Sequence, residues 1–203
     1  MGVASRPGEM AELTLHLVPY NDMTTTTMQP KGPSEDTWSA SCRTPRQSDA
    51  RAISALVKAC PPLDANSTYA YLLVCTHFAN TSITAEADGQ VIGFISAYLT
   101  PEAPTTLFVW QVAVGSAFRG RGLGQAMLRS ILERETCRHV RHLEATFTPS
   151  NETSLHMFKG LARSLDVPCE VRPRFTRDDL GGNHEPEHLV RIGPLQCRSR
   201  RGS

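Results

Sequence analysis

No window of this chain approaches the run of about 18 apolar residues that a membrane-crossing helix requires, and the N-terminus lacks the charged-then-apolar pattern of an export signal. A cytoplasmic protein is expected. An excess of one charge is also missing. The 21 Lys and Arg balance 20 Asp and Glu, and a formal net charge of +1 argues against a general binder of nucleic acid or of acidic membranes. There is no C-x-x-C pair. Cys42, Cys60, Cys75, Cys137, Cys169 and Cys197 are widely scattered, so reduced thiols are expected. Without an export signal, the N-x-[ST] sequons at Asn66, Asn80 and Asn151 carry no meaning as glycosylation sites.

What is present is enough for one domain, since 203 residues of which 40% are hydrophobic can fill a sizeable core. The most informative stretch is L-F-V-W-Q-V-A-V-G-S-A-F-R-G-R-G-L-G, Leu107 to Gly124. Its first part, Leu107 to Val114, predicts a strand buried on both faces, too short and too β-branched for a helix. Beyond the glycines, Leu123, Met127, Ile131 and Leu132 recur at helical spacing. A strand, a glycine turn and a helix in succession form a ready anion site. The first helical turn has unpaired N–H groups, Gly120, Gly122 and Gly124 let the backbone approach a ligand, and Arg119 and Arg121 add donors suited to phosphate. No G-K-[ST] is present for a P-loop, and no acidic residue follows a second strand as a dinucleotide fold would need.

Residues 1–40 are rich in Thr, Pro, Ser and Met with little periodicity and read as a disordered leader; 41–194 read as one domain, and 195–203 as a flexible tail. From Ser41 a short strand leads to a helix capped by Ser48, with Ile53, Leu56, Val57 and Cys60 on one face, stopped by Pro61-Pro62. Asn66 or Ser67 caps a second helix, from about Tyr69 to His77. Thr81 to Ala87 and Val91 to Leu99 form a hairpin around Asp88-Gly89, and the central strand begins near Thr106. Leu143 to Thr148 is a further strand. The helix opened by Pro149-Ser150-Asn151 places Leu155, Phe158, Leu161, Ala162 and Leu165 at helical spacing, and strands follow near 168–172 and 188–192.

His184-Glu185-Pro186-Glu187-His188 spells the H-E-x-x-H zinc motif, which needs both histidines on one helical face. Pro186 would break that helix, and L-V-R-I after it reads as strand, so no metal is expected. His77, His139, His142 and His156 lack ligand spacing and read as surface or packing residues.

Arg119-Gly120-Arg121-Gly122-Leu123-Gly124, preceded by Val112 and Val114, resembles the acyl-CoA signature [RQ]-x-x-G-x-[GA] of the GCN5-related N-acetyltransferase (GNAT) superfamily. The resemblance implies an α/β fold with a mixed, mostly antiparallel sheet flanked by helices. In it the signature amides bind the CoA pyrophosphate, the edge of the strand at Val112 and Val114 bonds the pantetheine arm, and Asn151 is a CoA or cap contact. Four further stretches resemble the diaminobutyrate acetyltransferases of ectoine synthesis: P-L-D-A-N-S-T-Y-A-Y-L-L at 62–73, T-L-F-V-W-Q-V-A-V at 106–114, T-P-S-N-E-T-S at 148–154 and G-G-N-H-E-P-E-H-L-V-R-I-G-P at 181–194. They imply acetyl transfer from acetyl-CoA to the 4-amino group of L-2,4-diaminobutyrate in a homodimer, with Asp64, Tyr69, Trp110 and a tail acid such as Glu185 lining the acceptor pocket. Another small amine, or a non-catalytic acyl-CoA-binding module, stays open as an alternative.

The chemistry sets its own demands. An alkylammonium with a pKa of about 10.4 lies roughly 4 to 5 kcal/mol from its reactive neutral form at pH 7, so a carboxylate must take its proton, directly or through water. Glu185, Glu187 and Asp64 are the candidates. The α-amino group, with an ordinary pKa of about 8, deprotonates more easily, so an anionic partner must hold it back. Asp64 is expected to anchor an ammonium while a tail carboxylate helps the proton leave, with exchanged roles left open. Many members of the superfamily protonate the departing thiolate with a tyrosine where this chain has Phe158.

Overall fold

Residues 26–28 and 40–196 are described by the computed structural model, in which the periodicities above become four α-helices and eight strands. Most of the expected leader and residues 197–203, including Cys197, lie outside the described residues. The leader reading does not hold for Thr26–Met28, which form strand β1 and pair antiparallel with β2 (Ala40–Arg43), giving an otherwise open strand edge a partner. The tail reading fails at Leu195, which is 8% exposed and whose N–H donates to the Arg141 carbonyl at 2.6 Å.

Helix α1 (Ala50–Lys58) buries Ala50, Ile53, Ser54 and Val57, one helical face. Leu56 is only partly buried, and Cys60 lies beyond the helix end. Ser48 is not the cap. It lies in a short 3-10 turn, Gln47–Asp49, and the Asp49 carboxylate accepts the Arg46 N–H instead, at 2.7 Å. Helix α2 (Thr68–His77) starts at Ser67, whose hydroxyl accepts the Ala70 N–H at 3.3 Å. Strands β3 (Ile83–Ala87) and β4 (Gln90–Thr100) turn through Asp88 and Gly89, both at positive φ (49° and 73°), the two-residue turn the Asp-Gly pair predicts.

Then come β5 (Ala103–Val114), α3 (Leu123–Leu132), β6 (His142–Phe147), α4 (Glu152–Leu165), β7 (Cys169–Phe175) and β8 (Glu187–Ile192). The strands make one eight-stranded sheet in the order β1-β2-β3-β4-β5-β6-β8-β7. Only β5 and β6 pair in parallel, which is why the α3 crossover lies between them. One face packs on α3 and α4 through Met127, Leu128, Ile131, Phe158 and Leu161. The other packs on α1 and α2 through Ile53, Val57, Tyr71 and Val74 against Phe94 and Ala113.

Two features of β5 position the site. Its ladder to β6 ends at Val109↔Ala145, although β5 runs on to Val114, so the two strands part. Opposite β4, the register jumps from Ser96↔Gln111 to Ala97↔Val109, which makes Trp110 the extra residue of a β-bulge. The expectation of a strand buried on both faces is therefore corrected. Leu107, Val109 and Ala113 are buried, whereas Phe108, Val112 and Val114 are half-buried and Trp110 is 49% exposed.

Candidate active site

The parting of β5 from β6 opens a cleft of about 450 Å³. The Gly115 N–H donates to the Ile92 carbonyl on β4 (2.8 Å), so by strand alternation the peptide groups of Val112 and Val114 face away from β4, into the opening. Val112, Val114, Arg119, Gly120, Gly122, Leu123, Gly124 and Asn151 line the cleft. Arg121 is exposed and does not. Arg119 turns back on the strand, its Nε donating to the Val114 carbonyl at 2.9 Å. The Cys60 thiol donates to the same oxygen at 3.3 Å, so that carbonyl is engaged within the chain while Val112 keeps its edge open.

Gly120 and Gly122 have φ of 72° and 80°, with nothing within 4 Å of an added Cβ, so their requirement is conformational rather than steric. Gly122 precedes α3, and the first amide to find a helical partner is Ala126, on the Gly122 carbonyl at 3.0 Å. The N–H groups of Leu123, Gly124 and Gln125 lead the helix without an intrahelical acceptor, the arrangement that binds phosphate. Gly124 has a second reason to be glycine, since a Cβ there would come within 2.7 Å of Met157 Sδ on α4. Gly122→Val is expected to raise KM for acetyl-CoA roughly 5- to 30-fold, from the 1–2 kcal/mol that a side chain costs in the left-handed region. Gly89→Ala, at φ 73° in the β3–β4 hairpin, is the control that costs stability but leaves that KM unchanged.

Helix α4 forms the opposite wall. The Asn151 side chain caps it, accepting the Ser154 N–H at 3.1 Å, and Ser154, His156 and Met157 face the cleft. His156, read from sequence as a surface or packing residue, is exposed but on the cleft wall, three residues and so about one turn after Thr153, which also lines it. Phe158 is 2% exposed, in the core. The third wall, Cys60 to Leu63, had no sequence signal, because its place depends on contacts with a strand about fifty residues away.

The acceptor-side candidates fall into two sets. Asp64 is exposed, and its main-chain carbonyl accepts Gln111 Nε2 at 2.8 Å, which ties its loop to β5 beside Trp110. Tyr69, in the first turn of α2, is 67% exposed. In the tail, Glu185 accepts the Ser150 N–H at 3.4 Å, so its loop meets the segment that opens α4. Glu187 is half-buried and begins β8. Among the described residues, no hydrogen bond or ion pair joins the two sets. His184 lies in a non-helical loop and His188 in β8, its ring edge-on to Phe147 at 6.0 Å; no group of three or more metal-ligating side chains occurs among the described residues. Gln111 and Tyr71 were missed, although a lone glutamine within an apolar run was legible.

Comparisons with known proteins agree with this geometry. The model of the Acetyltransferase (GNAT) family matches residues 50–162. An L-2,4-diaminobutyric acid acetyltransferase of Bordetella parapertussis is 54% identical over 155 residues, 75% of this chain and 83% of that protein. One from Chromohalobacter salexigens is 48% identical, covering 76% and 81%. Among solved structures, the diaminobutyrate acetyltransferase of Paenibacillus lautus, in complex with its substrate L-2,4-diaminobutyric acid and coenzyme A, is 36% identical with a TM-score of 0.75, covering 79% of this chain and 98% of that one.

Proposed function

The chain belongs to the GNAT acetyltransferase family, and from that premise we propose that it transfers the acetyl group of acetyl-CoA to the 4-amino group of L-2,4-diaminobutyrate. The product is N4-acetyl-L-2,4-diaminobutyrate, an intermediate of the compatible solute ectoine. The observation that carries the reading is the likeness to a solved relative holding both diaminobutyrate and coenzyme A, over nearly all of that relative's length.

The leading amides of α3 receive the pyrophosphate, and the open edge of Val112 receives the pantetheine arm and donates to the thioester oxygen as it gains charge. Asp64, Tyr69, Trp110 and Glu185 hold the acceptor. Asp64 pairs with an ammonium, and Glu185 or Glu187 takes the proton from the attacking nitrogen. The neutral amine then adds to the thioester carbon, the C–S bond breaks, coenzyme A departs as a thiolate, and the now cationic nitrogen gives up its second proton to solvent to leave the amide. With Phe158 in the core, solvent protonates that thiolate, whose pKa near 8.5 lets it leave unaided.

The protein works as a cytoplasmic homodimer, and the dimer reading is supported by a run of accessible aromatic rings on the sheet side of α2. Phe78 is 45% exposed, and Phe78, Tyr98 and Phe108 make successive tilted ring contacts with centroids 6.1 and 5.4 Å apart. No helix among the described residues is long and apolar enough to cross a membrane. Sedimentation is expected to return twice the chain mass, and a monomer at micromolar concentration would overturn the assembly.

The decisive experiment offers acetyl-CoA with L-2,4-diaminobutyrate, ornithine, lysine or spermidine, follows CoA release, and reads the acetylated position by NMR. Turnover of diaminobutyrate with acetyl on the 4-amino group is expected. Binding of acetyl-CoA without that turnover would leave the fold standing and remove the substrate.

A further inference from the structure

We propose that Gln111 is a positioning residue for the acceptor. It acts through the main chain of Asp64 and sets the distance between the acceptor loop and the cofactor wall; this inference rests on the acetyl-transfer reading above.

Gln111 is the only polar side chain in L-F-V-W-Q-V-A-V, and it is 7% exposed on the face of β5 that packs against α1 and α2. An amide buried among apolar groups is costly unless its bonds are made. Nε2 donates to the Asp64 carbonyl at 2.8 Å, and Oε1 accepts the Tyr71 hydroxyl at 3.3 Å. The Tyr71 oxygen in turn accepts the Asn66 N–H at 3.3 Å. The segment from Asp64 to Asn66 is thus pegged to β5 at both ends. Directly across the strand pair, the Ser96 hydroxyl is buried and has no hydrogen-bond partner. Polar groups are kept here at a cost that packing Tyr71, Phe94 and Ala113 alone would not require.

The other end of the same α1–α2 link is fixed to the same strand. The Cys60 thiol donates to the Val114 carbonyl at 3.3 Å, and Cys60 to Leu63 form a wall of the cofactor cleft. Gln111 and Val114 are three residues apart, about 10 Å along a strand, and the Val112 edge lies between them. Pro61 and Pro62, with their restricted φ, stiffen the span between the anchors. One strand therefore serves as a ruler, with the cofactor wall held at one mark and the acceptor loop at the other.

The test compares Gln111→Met, close in shape but without hydrogen bonds, with the wild-type enzyme. KM for L-2,4-diaminobutyrate is expected to rise about tenfold, KM for acetyl-CoA to stay within twofold, and part of the acetyl to appear on the 2-amino group. Hydrogen exchange of the Asn66 amide is expected to quicken at least tenfold relative to the α2 amides. A glutamine that only packs would lower Tm and leave both KM values, the product position and the Asn66 protection unchanged, and that result would overturn the proposal. If Gln111→Met does not fold, Tyr71→Phe removes a single oxygen from the network and reads the same split. A wild-type enzyme that binds acetyl-CoA but does not acetylate diaminobutyrate would refute the parent reading instead, and Asn66 exchange then decides the peg by itself.

Discussion

Asp64→Asn is expected to lower kcat/KM for L-2,4-diaminobutyrate roughly 10- to 150-fold with KM for acetyl-CoA unchanged, and to move part of the acetyl to the 2-amino group. The size follows from the 1.5–3 kcal/mol carried by a hydrogen bond to a charged group, at about 1.4 kcal/mol per tenfold. The substitution keeps the shape of the side chain and leaves the Asp64 carbonyl free to accept Gln111 Nε2, so the loop stays in place and only the charge is lost. Regiochemistry is the sharper readout. The 2-amino group is intrinsically easier to deprotonate, and selectivity for the 4-amino group requires that it be held as an ammonium. Steady-state kinetics with NMR of the product measure both effects. Unchanged efficiency and unchanged product position together would remove Asp64 from the acceptor site and leave the tail acids as its anionic groups.

Elements governed by local chemistry were legible in the sequence. Asp88-Gly89 specified the hairpin, Ser67 and Asn151 proved to cap α2 and α4, and the glycines at 120 and 122 occupy the left-handed conformations that only glycine adopts cheaply. The misreadings have a common physical cause, which is that a side chain's type does not disclose its neighbours. Trp110 and Phe108 are as apolar as core residues, yet a bulge and an uncovered sheet face leave them accessible. Arg121 has the chemistry of a phosphate ligand too, yet it points to solvent outside the cleft, whereas Arg119 lines the cleft while its Nε donates to the Val114 carbonyl. Ser48 has the best capping side chain near α1, and Asp49 takes the backbone N–H instead because Arg43 is placed to pair with it. Cys60, Tyr71 and Gln111 gain their roles from contacts 40 to 54 residues away in sequence, and no local pattern reports such contacts.

Arg43→Met is expected to destabilise the fold by about 3 kcal/mol, a drop in Tm of roughly 6–12 °C for a domain of this size. In β2, Arg43 grips the Asp49 carboxylate through Nη1 and Nη2 at 2.6 and 3.0 Å and Glu86 through Nε at 2.8 Å. The Arg43 and Asp49 side chains are only 13% and 10% exposed, so methionine fills the space but leaves a carboxylate buried without its cation. The effect has a pH signature. Burial alone would raise the Asp49 pKa, but the hydrogen bonds from the Arg43 guanidinium and the Arg46 N–H outweigh it and hold the group below its usual value. A depressed pKa adds stability that is complete above the unfolded value of about 3.9 and is lost as pH falls through the folded one. In Arg43→Met the burial effect is no longer opposed by the guanidinium, so the Asp49 pKa rises and acid protonation relieves the variant where it harms the wild type. The gap in Tm is therefore expected to narrow between pH 7 and pH 4, as calorimetry can measure, and Arg43→Met with Asp49→Asn to recover part of the loss at pH 7. A gap constant with pH would mean that Arg43 stabilises the fold through its packing rather than its charge.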